Sequence, residues 1–184
     1  MLTESIGSTI SVFDKIPHVV IGGHAVSAHS QQRATLDVDL LIKPEDLENV
    51  RQYLPEGSKT SPLQMSGIVP MRGISVTLPD NMLVDFITAD EEWVDDAINH
   101  PTIKNGIRFI SMEYLILLKL IASRGTVDDS DIIQLLKVMD KSTFKLTRQI
   151  VRRYLPNDLY EDFLTMVKLA QWKATSSDSQ TPTV

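Results

Sequence analysis

Asp37 and Asp39 stand two residues apart in the run Leu36-Asp37-Val38-Asp39-Leu40-Leu41-Ile42. If that run is a strand, period-two alternation puts both carboxylates on one face, roughly 6.5–7 Å apart at their Cα atoms, with Val38 turned toward the core. Two acids so placed on an apolar strand repel each other and lose hydration unless a cation neutralises them. Hard divalent ions bind such oxygens. The plainer alternative is a solvent-facing strand end whose acids only keep it soluble, and the pair alone favours that alternative. The context upstream reverses the preference. Gly22-Gly23 follows the apolar run His18-Val19-Val20-Ile21 and opens a short helical stretch. Glycine lets a ligand approach the backbone, and free N–H groups at a helix start bind anions. Phosphate-binding backbone and metal-binding carboxylates then lie on adjacent strands, as Mg²⁺–nucleotide chemistry requires.

The elements that must position these groups follow from pattern and punctuation. Leu2, Ile6, Ile10, Phe13 and Ile16 recur at helical spacing, which predicts an opening amphipathic helix over 2–16, ended by Pro17. Residues 18–21 and 36–42 read as buried strands, with a short helix over 24–32 between them. Pro44-Glu45-Asp46 starts a further helix, proline suiting the first turn and acids the positive end of the dipole. Three β-type segments are expected at 64–71, 73–78 and 82–88, then a helix over 93–99 and a strand over 107–110. Everything after Ser111 reads as helix: 111–123, 129–139, 143–154 and 157–173. The polar stretch 174–184 is expected to be a disordered tail. The chain therefore divides into an α/β core over 1–110, a helical subdomain over 111–173 and the tail.

Composition narrows the class. The 184 residues carry 42% hydrophobic and 23% charged side chains, ordinary for a globular protein, and no run approaches the roughly 20 apolar residues a membrane span needs. The N-terminus lacks the basic start and apolar core of a secretory signal. Cysteine is absent, which excludes disulfides and thiolate zinc sites. A cytoplasmic protein without membrane association is expected. The net charge of −6 is unlike that of most duplex-binding proteins. A local basic patch, Lys145, Arg148, Arg152 and Arg153, reads first as a solvated helix face and second as an RNA contact.

The run Ile21-Gly22-Gly23-His24-Ala25, then His29, then Arg33-Ala34-Thr35-Leu36-Asp37-Val38-Asp39-Leu40-Leu41 resembles the signature of the DNA polymerase β-like nucleotidyltransferase superfamily. Within it, the pattern is most similar to the small bacterial enzymes of the abortive-infection toxin type. Ser30 stands where glycine is usual after the histidine. The resemblance implies an α+β fold with a nucleotidyltransferase-type mixed sheet, flanking helices and a C-terminal helical half. It implies Mg²⁺ (or Mn²⁺) on Asp37 and Asp39, phosphate contacts from Gly22, Gly23 and Arg33, and a third carboxylate on a neighbouring strand. Asp85 in Leu83-Val84-Asp85-Phe86-Ile87 supplies one, since an acid alone in an apolar run needs a partner or a metal. Asp80 and Asp90, at loop-like ends, are weaker candidates.

In the helical half, Lys119 interrupts the apolar runs 114–118 and 120–122. Alone it would read as a lysine whose stem covers apolar surface. The spacing Lys119-x4-Arg124-x3-Asp128-x2-Asp131 resembles the tract that follows the core in these enzymes, which implies a nucleotide-binding role for Lys119 and Asp131. Asp128 and Asp129 also suit a helix N-terminus. His24 and His29 are five apart and make no zinc pair, though the resemblance gives His29 a role orienting the Gly-Gly loop or Arg33. Trp93, Tyr114, Phe163 and Trp172 read as core or docking residues.

The function expected is transfer of a nucleoside monophosphate from an NTP to an acceptor hydroxyl on a tRNA, a protein or a small molecule. Family association adds a toxin–antitoxin role with an antitoxin partner. The competing readings are a catalytically inactive binding module that keeps the fold and a small-molecule hydrolase using the same carboxylates.

Overall fold

The computed structural model describes residues 7–32, 35–122 and 126–177, with the backbone alone described at 126 and 172–177. These residues fall into two compact units. One comprises Met1–Ala28 and Gln32–Ser111, the other His29–Gln31 and Met112–Val184.

The first unit is built on a seven-stranded mixed sheet: β1 (His18–Val20), β2 (Asp37–Ile42), β3 (Lys59–Met65), β4 (Met71–Thr77), β5 (Leu83–Thr88), β6 (Thr102–Lys104) and β7 (Ile107–Phe109), in the order β3-β4-β5-β2-β1-β7-β6. Strand β2 is antiparallel to β1 and parallel to β5, and β1 is parallel to β7. The fold is α+β with a mixed sheet and flanking helices, as the resemblance implied. Helix α1 (Gly22–His29) follows β1 directly. Helix α2 (Glu92–Asn99) buries Trp93, Val94, Ala97 and Ile98, a helical-period stripe, and packs against β1 and β2. Val19, Val20, Leu40, Leu41 and Ile42 are fully buried in the central strands, and Phe13 meets Phe86 edge to face with centroids 4.9 Å apart.

Several sequence expectations shift. Residues 7–10 are helical, but 11–13 tighten into a 3-10 turn that buries Phe13, and Leu2 and Ile6 lie outside the described residues. The helix expected from Pro44 is instead two 3-10 turns, Pro44–Asp46 and Val50–Tyr53. Leu47 and Val50 are the buried residues there, three apart, which suits a 3-10 repeat and supplies no continuous α-helical stripe. The strand expected at 64–71 lies earlier, at Lys59–Met65. It is an edge strand with mostly exposed side chains, so it shows no apolar alternation, and the edge accommodates Pro62. Strand β6 was not among the elements expected. Asn105 and Gly106, with φ of 52° and 79°, turn it into β7 through a two-residue hairpin loop that pairs Lys104 with Ile107.

The second unit is helical: α3 (Met112–Ala122), α4 (Thr126–Val138), α5 (Lys141–Tyr154) and α6 (Asn157–Ser177). Helix α6 runs past Lys173, the end expected from the sequence. Helix α3 is buried all round from Tyr114 to Ile121 and packs against α4 and α5, while α4 packs against α6. Asp140 caps α5, accepting the Thr143 N–H at 2.7 Å, and bonds to the Ser142 hydroxyl and to Thr143 hold its pKa down at about 2. Phe144 stacks on Phe163 with centroids 6.4 Å apart. No helix among the described residues is long and apolar enough to cross a membrane.

Candidate active site

Strands β2 and β5 run parallel and in register, with Asp39 opposite Asp85 and Asp37 opposite Leu83. Neighbouring strands lie under 5 Å apart and alternate residues share a face, so all three acids project from one face. Each of Asp37, Asp39 and Asp85 offers a carboxylate oxygen, and these oxygens lie within 4.8 Å of one another. All three side chains are half-buried. Val38 and Leu40, between and beyond the acids on β2, are buried on the opposite face.

The two glycines bear directly on these acids. Gly22 has φ +63°, and a Cβ built there would sit 1.9 Å from Asp39 Oδ2. Only a residue without a side chain leaves Asp39 its position and also tolerates that backbone conformation. Asp39 is fixed from its own backbone too, its carbonyl accepting the Ile21 N–H at 2.9 Å. A Cβ on Gly23 would lie 2.9 Å from the Thr35 Cβ, and the Thr35 hydroxyl donates to Asp37 Oδ1 at 2.8 Å. One glycine therefore seats Asp39, and the other admits the residue that holds Asp37.

Sequence reasoning gave the glycines a phosphate role and missed this steric one. It gave Thr35 no role of its own and weighed His24 only as a zinc ligand. The imidazole of His24 is buried and hydrogen-bonded to the Asp37 backbone; burial lowers its pKa, opposed by the Asp37 carboxylate and by that hydrogen bond. The alternation that put Asp37 on the site face was the available signal for Thr35, two residues earlier.

The donor set suits a hard divalent ion. All three donors are carboxylates, and ligands bound at about 2.0–2.6 Å lie up to roughly 4–5 Å apart. Asp85 Oδ1 is buried and has no hydrogen-bond partner among the described residues. A buried carboxylate oxygen so placed is costly unless a cation or a proton satisfies it.

The weaker acids are engaged elsewhere. Asp90 forms a two-point ion pair with Arg72, Nη2 donating to Oδ1 at 2.9 Å, and the Arg72 guanidinium holds its carboxyl below the ordinary range. Asp80 accepts the Met82 N–H at 3.0 Å in the β4–β5 turn. Arg33, whose phosphate contact the resemblance implied, lies outside the described residues. In the helical unit, Lys119 Nζ lies 2.7 Å from Asp128 Oδ1 and 2.8 Å from Asp131 Oδ2, all three side chains being buried.

A mixed sheet that gathers three aspartates beside a strand–Gly-Gly–helix turn is the arrangement that the nucleotidyltransferase resemblance implied. The sequence matches the family model described as nucleotidyl transferase of unknown function (DUF2204) over residues 5–169, and the chain belongs to that family. No curated protein matches it significantly. Among solved structures it is similar to a protein from H. pylori assigned as a nucleotidyltransferase, with 15% identity, 98% of this chain and 96% of that one covered, and a TM-score of 0.48. JHP933 from Helicobacter pylori gives 15%, 97% and 92%, with a TM-score of 0.41. ANT(2″)-Ia in complex with adenylyl-2″-tobramycin gives 15%, 93% and 97%, with a TM-score of 0.47. Family membership rests on the sequence match.

Proposed function

We propose that the protein transfers a nucleoside monophosphate from an NTP to an acceptor hydroxyl, releasing pyrophosphate, with Mg²⁺ or Mn²⁺ held by Asp37, Asp39 and Asp85. The observation that carries this reading is the convergence of three carboxylate oxygens within 4.8 Å, together with a buried Asp85 oxygen that has no partner among the described residues. When bound, the divalent ion would offset phosphate charge and stabilise the attacking and leaving oxygens. The residues do the rest. Backbone N–H groups at Gly22 and Gly23 open α1 and face phosphate oxygens, favoured by the helix dipole. Thr35 and His24 hold Asp37 in place. The acceptor oxygen forms its bond to the α-phosphorus as the bond to the pyrophosphate oxygen breaks, and Asp85 takes the acceptor proton.

In this reading residues 1–110 are the catalytic core and the helices after Ser111 a subdomain. For Lys119 and Asp131, in the helical unit, the family resemblance implies a nucleotide-binding role. The acceptor is an RNA, a protein or a small molecule, and an antitoxin partner would follow from a toxin role.

The test is incubation with each α-labelled NTP, Mg²⁺ or Mn²⁺, and total cell RNA and protein. Label should appear in one acceptor fraction and vanish with EDTA. Metal-dependent NTP binding without transfer from any of the four nucleotides would instead make the protein a binding module.

A further inference from the structure

Helix α5 carries Lys141, Lys145, Arg148, Arg152 and Arg153 and no acid within its fourteen residues. At about 100° per residue, Lys141, Lys145, Arg148 and Arg152 fall within roughly 60° of arc, a row about 16 Å long at 1.5 Å per residue. All four are exposed, and the helix buries Thr147, Ile150 and Val151 on its other side. Arg152 and Arg153 suit the last turn, but the rest of the row works against the helix. Its members are like charges three and four apart, and Lys141 sits in the first turn, at the positive end of the dipole. A solvated face would cost less with acids interspersed.

Two of the four cationic groups are also ordered in advance. Arg148 Nη2 donates to Tyr160 Oη at 3.2 Å, and Arg152 lies over the Tyr160 ring, 5.8 Å from its centroid. Tyr160 in turn rests against buried Phe163, with centroids 6.3 Å apart. Holding long cationic side chains in place lowers the entropy cost of gripping a ligand.

We propose that this face of α5 is a docking surface for single-stranded RNA, with Lys141, Lys145, Arg148 and Arg152 on consecutive phosphates. It rests on the transfer reading above only in presenting the RNA as acceptor. A single file of exposed cations complements a linear polyphosphate, and arginine forks suit phosphate oxygens. A chain of net charge −6 repels such a polymer as a whole, so the grip has to be local. A membrane-lying helix would instead expose its apolar face, which α5 buries.

The experiment is fluorescence anisotropy of a labelled 20-nucleotide single-stranded RNA of mixed sequence with the full chain, in EDTA and without NTP. Four phosphate contacts predict a log–log salt slope near −2.8, or about fifty-fold weaker binding at 200 mM than at 50 mM salt. Lys141→Gln with Lys145→Gln should flatten the slope by about 1.4, as should Arg148→Gln with Arg152→Gln. The paired arginine-to-lysine variant should keep it. The lysine pair stands outside the Tyr160 cluster, so it tests the surface even where the arginine pair disturbs folding. Slopes unchanged in both pairs would overturn the proposal. So would displacement of RNA by polyglutamate at equal charge, or binding to phosphatidylserine vesicles with none to RNA. Mg²⁺–NTP binding is measured on the same variants. RNA binding lost while NTP binding persists supports the surface; RNA binding absent in the parent chain while NTP binding persists removes it alone. RNA binding without any NTP binding leaves the surface standing and removes the transfer reading.

Discussion

Asp37, Asp39 and Asp85 bring three carboxylate oxygens within 4.8 Å of one another on the sheet, while Lys119 in the helical unit lies between Asp128 and Asp131 at 2.7 and 2.8 Å. The two trios differ in how their charge is balanced. The helical trio holds a cation between its two carboxylates, which leaves one net negative charge in place of three. The sheet trio is three like charges, half-buried, and its balance has to come from outside the set. The units differ in the same sense. The sheet unit has eight Lys/Arg against fifteen Asp/Glu, net −7, and the helical unit ten against nine, net +1. A cluster that contains its own cation leaves less charge to balance, and a like-charged one invites a ligand.

The largest effect tests the sheet trio. Asp39→Asn should lower transfer by roughly a hundredfold or more, since even indirect partners of metal sites are worth about 10–100-fold. The variant should stay folded, with a melting temperature equal to or above that of the parent, because one of three mutually repelling charges is gone. Near-normal turnover would remove the metal site from the proposal.

The helical trio should respond in the opposite way. Lys119→Met removes the ammonium that bridges two buried carboxylates and should cost about 3–5 kcal/mol in urea unfolding. Adding Asp128→Asn and Asp131→Asn should recover most of that loss. NTP binding measured in the triple variant and in the Asp128→Asn/Asp131→Asn pair then separates the roles: binding weaker in the triple variant than in the pair assigns Lys119 to the nucleotide, and equal binding leaves it to packing.

Gly22→Ala is the sharper probe of how the sheet trio is seated. The φ of +63° should cost about 1–2 kcal/mol, and the new Cβ collides with Asp39. Activity should therefore fall by more than the stability loss accounts for, read as kcat at saturating metal. A variant that is destabilised yet turns over at the parental rate would show that Asp39 can move without harm.

The smallest effect is a pH dependence of the sheet unit. His18 is buried with Nδ1 2.7 Å from the Ile16 carbonyl, and burial lowers its pKa, with a hydrogen bond to that carbonyl and the charge of Asp14 opposing. Above the unfolded value near 6.5 both states are neutral and the contribution is full. As pH falls below 6.5 the unfolded chain takes up the proton first, so stability declines toward the folded pKa. Urea midpoints at pH 7.5 and 5.5 should differ, and less so in His18→Asn. His24 shifts in the same direction and should account for part of what is left.

The amino-acid order was informative wherever local pattern and chemistry coincide. Alternation along β2 put Asp37 and Asp39 on one face, and apolar runs marked the central strands because buried strands must be apolar on both sides. Helices α2 and α5 were legible from their stripes. Strand β3 was not, because an exposed edge strand buries little and so imposes no pattern, and the turns after Pro44 lacked enough burial to declare their period. The Asn105-Gly106 turn was a readable hairpin signal beside β6, a strand too short to show alternation.

Proximity across the chain was settled by the folded structure instead. Pairing of β2 with β5 set Asp85 opposite Asp39, forty-six positions away, and no local spacing encodes that register. The same holds for the glycines. As residues they permit any close approach, and only the packed structure shows that what approaches Gly22 is the Asp39 carboxylate and what approaches Gly23 is Thr35. Local sterics and burial determine which groups are present and which face of an element they occupy, and both can be read along the chain. Which groups meet depends on strand order and register, which are settled by the packing of the whole sheet.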